Sequence, residues 1–183
     1  SSKGTMKIAG CFQRAGEPNN NKRVYERRLL EREMTRLNES LSERRLMGEL
    51  DHPKHDQVKL SNVSHLITGL KFDGNDMIGE AELLNTPAGQ TAQALIKGGV
   101  KLGISSRGMG TLTDQPDGTK HVNEDFKLIT FDLVADPSTR GAFPALAESL
   151  NSDFINETVE STMNKALSEK MFITLLKNKL RKY

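Results

Sequence analysis

Tryptophan is absent from the sequence, and cysteine occurs once, at Cys11. A single cysteine excludes an intramolecular disulfide, and its place in a short apolar stretch is typical of a small core residue in a reducing compartment. No apolar run approaches the roughly 20 residues that cross a bilayer, and the amino end lacks the charged and then apolar layout of a signal peptide. We therefore expect a soluble, intracellular protein without a membrane partner.

The sequence also lacks an excess of charge of one sign. Its 26 basic and 24 acidic residues give a formal net charge of +2 and are mixed along the chain. A surface that neutralises many phosphates needs clustered Lys and Arg. We therefore expect no nucleic-acid partner. Internal repeats and low-complexity tracts are absent too, which excludes solenoid folds.

The length of 183 residues and the hydrophobic content of 36% suffice for one domain core, with residues left over for a tail. We assign residues 1–5, which do not begin with Met, to a disordered, added or processed end. Residues 6–149 form the predicted catalytic domain. Residues 150–183 form a predicted amphipathic helical tail, because apolar residues recur at helical spacing, as at Val159, Met163, Leu167 and Met171.

Apolar periodicity predicts both strands and helices in the domain. Residues 26–41 have apolar residues at spacings of four, three and four, which predicts an amphipathic helix. Its charged residues are interpreted as a solvated face: Arg27, Arg28, Glu31, Arg32 and Glu33. Strands are predicted at 6–12, within a hairpin at 67–84 and at 126–134, and a second helix follows Thr86. The mixture predicts an α+β domain built on an antiparallel sheet or barrel.

His52 lies between Asp51 and Pro53, and proline disfavours a helical conformation for the residue before it. His52 therefore ends an element, where it is either a catalytic base or an exposed loop histidine. His55 adds a His-x-x-His spacing, which raises the possibility of a metal-dependent hydrolase. We expect no metal or other cofactor, because further ligands are missing and Pro53 prevents one helix face from presenting both rings.

Ser105 and Ser106 lie between glycines, and small neighbours let a nucleophilic hydroxyl and backbone N–H groups approach a carbonyl. The same segment is also compatible with an ordinary turn. Asp132 lies within an apolar, strand-prone run, where a buried carboxylate needs hydrogen bonds or a cation. A histidine would satisfy it, although an edge position facing water is the alternative.

Three strings carry a family resemblance: GELDHP at 48–53, GISSRGMGTLTD at 103–114 and VNEDFKLITFDLVADPS at 122–138. Together with NKRVY at 21–25, they resemble the prohead core proteases of large contractile-tailed phages, over residues 6–144. The resemblance implies a serine protease domain at 6–149 related in fold to herpesvirus assemblins. The implied fold is α+β, a mostly antiparallel, closed β-barrel surrounded by helices, with the helical tail appended.

Carried over by motif, the resemblance implies that Ser105 is the nucleophile, His52 the general base and Asp132 the residue that orients His52. Chain order does not identify a triad, whose members are recognised by geometry. Candidates for the oxyanion hole and for substrate binding are Ser106, Arg107, Gly108, Arg140 and Gly141. Ser106 is interpreted mainly as a residue that supports the turn.

The resemblance also implies substrates: scaffold and core proteins, the major capsid protein precursor and the protease itself, cut after Glu in Leu/Ile-x-Glu contexts. A glutamate pocket needs a cation, and Arg107, Arg140 and Lys127 are candidates. Leu/Ile-x-Glu triplets near the carboxyl end of this chain end at Glu148, Glu157 and Glu169, which are candidate sites of self-cleavage. The tail is therefore interpreted as either a cleavable propeptide or a core-docking segment. We expect a homo-oligomer inside the prohead in the host cytoplasm.

A different class of protein fits the same motifs. A catalytically idle scaffold or core protein would keep the protease fold and use the tail to dock inside the shell. Retention of His52, Ser105 and Asp132 favours the enzyme. Sequence alone does not show whether the three side chains meet.

Overall fold

The computed structural model describes residues 5–53 and 55–147. The predicted tail at 150–183 and the candidate cleavage positions Glu148, Glu157 and Glu169 lie outside these residues. A compact unit ends at Leu146. Its elements are β1 (Lys7–Arg14), β2 (Arg23–Val24), α1 (Arg27–Ser42), β3 (Met47–Glu49), a short 3-10 helix (Leu60–Asn62), β4 (Val63–Asp73), β5 (Asp76–Leu83), α2 (Pro87–Lys97), β6 (Gly103–Met109), β7 (Leu112–Asp114), β8 (Lys120–Val122), β9 (Lys127–Val134) and β10 (Ala145–Leu146).

The described strands form three sheets. Five strands pair antiparallel in the order β10-β1-β5-β4-β3, β6 pairs with β9 in an antiparallel ribbon, and β2-β8-β7 forms a small mixed sheet. The α+β prediction is confirmed. The closed barrel is not found among these strands, because an isolated bridge between Leu50 and Leu133, rather than a continuous ladder, joins the ribbon to β3. The predicted relation to assemblins stays a prediction.

The β4–β5 hairpin forms where the sequence alternates. Along β5 every second residue is buried, at Met77, Gly79, Ala81 and Leu83, which is the period of two expected of a strand with one wet face. Gly74 makes the turn with a φ of 55°, a conformation that glycine adopts without steric cost. The hairpin places its apolar face in the core with Phe12, Phe131 and Leu133.

Both predicted helices are present. In α2, Thr86 caps the N-terminus by accepting a hydrogen bond from the Gly89 N–H at 3.0 Å, and Pro87 follows in the first turn. In α1, Leu29, Leu30 and Leu37 are buried, as the spacing predicts. Neither helix in the described part of the chain is long and apolar enough to cross a membrane.

Glu33 departs from the predicted solvated face of α1. Its side chain is 2% exposed, and it accepts hydrogen bonds from the Leu128 N–H and from Arg36, both at 2.9 Å. Although burial opposes the shift, these bonds and one from Arg32 lower the pKa of Glu33 below its ordinary value. The interpretation as solvated was wrong because the strand that Glu33 contacts lies far away in the sequence.

Glycines of β6 allow close approach, as their density in the sequence predicts. A Cβ at Gly103 would lie 2.5 Å from Pro137, and one at Gly108 would lie 2.4 Å from the Phe126 ring. Larger residues would push β6 away from these neighbours. Gly103 therefore allows β6 to lie against the segment that follows β9, and Gly108 allows it to lie against Phe126, just before β9.

Candidate active site

The chain turns sharply just before His52. Strand β3 ends at Glu49, and Asp51 has a φ of 66°, a left-handed conformation that Asp tolerates better than most residues. The Asp51 N–H donates to the Leu133 carbonyl at 2.8 Å. This bond ties the turn to β9, and His52 therefore lies beside that strand.

His52 and Asp132 are in direct contact. The distance from His52 Nδ1 to Asp132 Oδ2 is 3.0 Å, and the Glu49 N–H donates to Asp132 Oδ1 at 3.0 Å. The Asp132 side chain is completely buried, whereas that of His52 is 43% exposed. Of the two expectations for Asp132, the buried carboxylate with a histidine partner is the one that the structure contains.

Ser105 lies opposite Asp132 in the β6–β9 register. Residues directly opposite each other in an antiparallel pair present their side chains on the same face. Ser105 Oγ is 3.1 Å from Ser138 Oγ. Among the described residues, no hydrogen bond joins Ser105 to His52.

Ser105 and His52 nevertheless open onto one pocket of about 200 Å³. Strand β2, the loop before it and the segment after β9 complete the walls of the pocket. The lining residues are Asn20, Asn21, Arg23, Tyr25, His52, Ser105, Ser106, Asp136, Pro137 and Ser138. Each of the three sheets therefore supplies or adjoins a part of the wall.

Arg107 lies behind the pocket rather than in it. Its side chain is 7% exposed. Arg107 Nη2 donates to Glu49 Oε2 at 2.6 Å and to Asp132 Oδ1 at 3.1 Å. Arg107 Nε lies 2.8 Å from Asp132 Oδ2 but is not aligned for a hydrogen bond. These contacts leave the guanidinium turned away from a substrate side chain.

Gln13 supports the site from β1. Its Oε1 accepts hydrogen bonds from the hydroxyls of Ser106 at 3.1 Å and Thr139 at 2.9 Å, and its Nε2 is buried without a partner among the described residues. The Ser106 hydroxyl is thus bound to the scaffold, whereas Ser105 keeps a bond only to another hydroxyl.

A second histidine, His65, lies beneath the site. Its Nε2 donates to the Phe131 carbonyl at 3.0 Å, and its Nδ1 accepts from the Ser64 hydroxyl at 2.9 Å. Complete burial lowers the pKa of His65 to about 4, against the opposing effects of its bond to Phe131 and the nearby charge of Asp132. His65 therefore remains neutral and structural at neutral pH.

The other predicted candidates lie in different places. Arg140 and Gly141 are exposed in the loop after β9. Lys127 lies five residues before Asp132 on β9, roughly 16 Å away at the rise of an extended strand. Gly108 faces the Phe126 ring.

His55 turns its Nδ1 toward the Gln57 carbonyl. Among the described residues, no cluster of three or more His, Cys, Asp or Glu side chains has the arrangement of a metal site.

Sequence reasoning did not select several residues of the site. Glu49 is part of the string that pointed to His52, and Arg23 and Tyr25 are part of NKRVY. Position in these strings was the available signal. Ser138 is likewise the last residue of the string at 122–138. Gln13 lies in none of the strings, and its partners are distant in sequence.

Comparison with known proteins places these residues in a family. The family model for the prohead core protein serine proteases matches residues 1–153 of this chain. The prohead core protein protease of Enterobacteria phage T4 is 36% identical over 140 residues, which cover 74% of this chain and 66% of that relative's length.

A solved structure of a phage protease is similar to this chain in fold as well as in sequence. The bacteriophage T4 capsid assembly protease superposes with a TM-score of 0.68 at 35% identity, over 71% of this chain and 81% of that one. The family match at residues 1–153 spans most of the sequence, including the strands that carry the site. This chain belongs to the prohead core protein serine protease family.

Proposed function

We propose that the chain is a serine endopeptidase in which Ser105 is the nucleophile, His52 the general base and Asp132 the residue that orients His52. The observation that carries the proposal is the 3.0 Å contact between His52 and buried Asp132, in the same pocket as Ser105. A catalytically idle relative would need no buried carboxylate behind an exposed imidazole.

The geometry supports the usual division of roles. Because His52 Nδ1 faces Asp132, the ring donates there and keeps Nε2 free to accept a proton. Ser105 transfers its proton to Nε2 as Oγ forms a bond to the scissile carbonyl carbon. His52 then protonates the leaving amine, and water releases the acyl group by the reverse sequence.

Strand geometry favours one oxyanion donor. The Ile104 N–H donates to the Ala142 carbonyl at 2.8 Å, away from β9. Successive N–H groups of a strand alternate in direction, so the Ser106 N–H also faces away from β9, and that of Arg107 faces β9. We therefore favour the Ser106 N–H, with Arg140 and Gly141 in the adjoining loop as sources of a second donor.

The mechanism is tested with a fluorophosphonate, which phosphonylates an activated serine with loss of fluoride, irrespective of substrate sequence. We expect wild-type protein to be labelled at Ser105 and to cleave a Leu-x-Glu peptide, and Ser105→Ala to do neither. Ser42→Ala, which removes an exposed hydroxyl at the end of α1, is the matched control and should behave as wild type. Cleavage by Ser105→Ala would reject the serine mechanism, and an unlabelled, inactive wild type would favour the idle scaffold protein.

Arg23 supports the finer proposal of cleavage after glutamate. It is exposed, and it is the one Arg or Lys among the described lining residues of the pocket. None of its side-chain atoms forms an ion pair with a described residue. A cation without a partner near the nucleophile favours an acidic side chain in the substrate.

The specificity is tested by charge reversal. We expect Arg23→Glu to lower kcat/KM for a Leu-x-Glu peptide and to raise it for the matched Leu-x-Lys peptide. Arg45→Glu, which reverses an exposed charge outside the pocket, is the control. An unchanged ratio of the two peptides would remove Arg23 from the specificity pocket.

The names of the T4 relatives refer to the prohead core and to capsid assembly. We propose that this chain likewise processes core or scaffold proteins and the capsid precursor during prohead maturation, inside the prohead in the host cytoplasm, as a homo-oligomer. Co-assembly of wild-type or Ser105→Ala protein with the capsid precursor is the test. Precursor that is processed equally in both assemblies would contradict it.

A further inference from the structure

Arg107 joins four parts of the chain at once. Its guanidinium bonds to Glu49 on β3 and Asp132 on β9, as described above. Its Nη1 also donates to the carbonyls of His55 at 3.0 Å and Gln57 at 3.3 Å. One buried side chain thus connects two strands with the loop that follows His52.

These contacts lie on both sides of His52. Glu49 is three residues before it, and His55 and Gln57 are three and five residues after it. Asp132, the remaining contact, is the hydrogen-bond partner of the imidazole itself. His52 is exposed on its outer side, so these flanking contacts limit how far the ring can move from Asp132.

Charge makes Arg107 necessary in a second way. Glu49 and Asp132 are both completely buried carboxylates, and Arg107 lies between them. A buried carboxylate is costly without a cation and hydrogen bonds, and two of them repel. Arg supplies several donors in a planar fork, whereas Lys supplies a single charged point that cannot reach all four partners.

We propose that Arg107 is a positioning residue for the reaction: it holds Asp132 and the two chain segments around His52 so that the imidazole faces Ser105. This inference rests on the proposed serine mechanism. It differs from the sequence-based expectation that Arg107 binds the substrate or lines the oxyanion hole.

The first test is Arg107→Lys, which keeps the positive charge and loses the fork. Misplacement of a catalytic group by about 1 Å costs roughly 100-fold in rate, so we expect kcat to fall by about that factor while KM stays near the wild-type value. The rate of fluorophosphonate labelling should fall in parallel. The downfield proton resonance of the His52–Asp132 hydrogen bond should shift or broaden.

A second variant separates position from charge balance. Arg107→Met combined with Glu49→Gln removes one positive and one negative charge, so the cluster keeps its net charge and stays folded. We expect this double variant to recover stability relative to Arg107→Met and to keep a low kcat. Recovery of wild-type kcat would show that Arg107 only neutralises charge, and the proposal would be overturned.

Arg36→Lys provides the matched control. Arg36 also donates hydrogen bonds to a buried carboxylate, that of Glu33 on α1, and to a backbone carbonyl, that of Leu128 at the other end of β9. It should alter stability without a change in kcat. A wild-type kcat in Arg107→Lys, beside an inactive Ser105→Ala, would reject the positioning role and leave the serine mechanism standing. Cleavage by Ser105→Ala would instead remove the mechanism on which the inference rests.

Discussion

Three groups donate to or contact the buried carboxylate of Asp132: the Glu49 N–H, the His52 ring and the Arg107 guanidinium. Each of them is a donor in the arrangement described. The site therefore needs a residue at this position that accepts at both oxygens. Aspartate meets that need, and its amide does not.

Asp132→Asn should impair the enzyme while the fold persists. The amide would present an N–H₂ group to one of these donors and favour the wrong His52 tautomer, a change that costs about 10⁴-fold in kcat in an established triad. Single-turnover cleavage together with circular dichroism would measure both effects. An unchanged kcat would remove Asp132 from the catalytic group.

At the scale of elements, β3 approaches β9 and the His65 ring unusually closely at Gly48. A Cβ there would lie 2.1 Å from the Phe131 carbonyl oxygen and 2.2 Å from His65 Nε2. Neither neighbour is a flexible side-chain end. The glycine of the GELDHP string is thus a packing requirement of the strand that leads to His52.

Gly48→Ala should therefore lower the free energy of unfolding by about 1–3 kcal/mol or more, the cost of forced overpacking. It should also reduce activity, because β3 must move. Gly69→Ala on β4 is the control, since its added Cβ would make only an ordinary 3.6 Å contact with Glu80. Urea unfolding measures the difference, and equal stability of the two variants would contradict the packing account.

Glu33 connects another pair of elements, α1 and β9. Glu33→Gln should lower the free energy of unfolding by about 2 kcal/mol, since charge-assisted bonds from Arg32 and Arg36 are weakened within a buried site. Because its pKa is lowered in the folded state, the wild-type advantage should be present above the ordinary glutamate range and disappear as pH falls. Chemical unfolding of wild type and Glu33→Gln at neutral and acidic pH would test the stability loss and its pH dependence. A stability difference between the two proteins that does not change with pH would contradict a buried, ionised Glu33.

The stability of the whole molecule should depend on His65. Its pKa is about 4 when folded and about 6.5 when unfolded, so only the unfolded chain gains a proton in between. Protonation of His65 in the unfolded chain does not affect the free energy of unfolding above pH 6.5, and it lowers that free energy by about 3 kcal/mol as pH falls to 4.

His65→Gln, which retains a donor for the Phe131 carbonyl, should reduce this acid sensitivity. Thermal unfolding across the acidic range is the measurement. His121→Gln replaces a histidine that is 41% exposed and serves as the control. Equal acid sensitivity in wild type and His65→Gln would contradict the account.

A further prediction at this scale concerns self-processing. If the enzyme cleaves Leu/Ile-x-Glu sites within its own chain, active protein should gain new carboxyl termini at Glu148, Glu157 or Glu169. Proteolysis favours accessible segments. Intact-mass spectrometry should show none of these termini in Ser105→Ala, and an uncut chain in an active preparation would contradict the prediction.

Local patterns were sufficient for much of the fold. The period of 3.6 predicted α1, the period of two predicted the β4–β5 hairpin, and Thr86 with Pro87 predicted the start of α2. The predicted closed barrel is not found among the described strands, because strand closure depends on pairings between distant segments. Short-range periodicity carries no information on whether such ladders continue.

The sequence by itself determined the elements, the family resemblance and three candidate residues, His52, Ser105 and Asp132. Only the tertiary structure decided that His52 meets Asp132 and that Glu33 is buried. It also decided that Arg107 faces away from the pocket, which Arg23 lines instead. The physical reason is that burial and ion pairing are set by contacts between residues far apart in the sequence, such as Glu33 and Leu128, which are 95 positions apart.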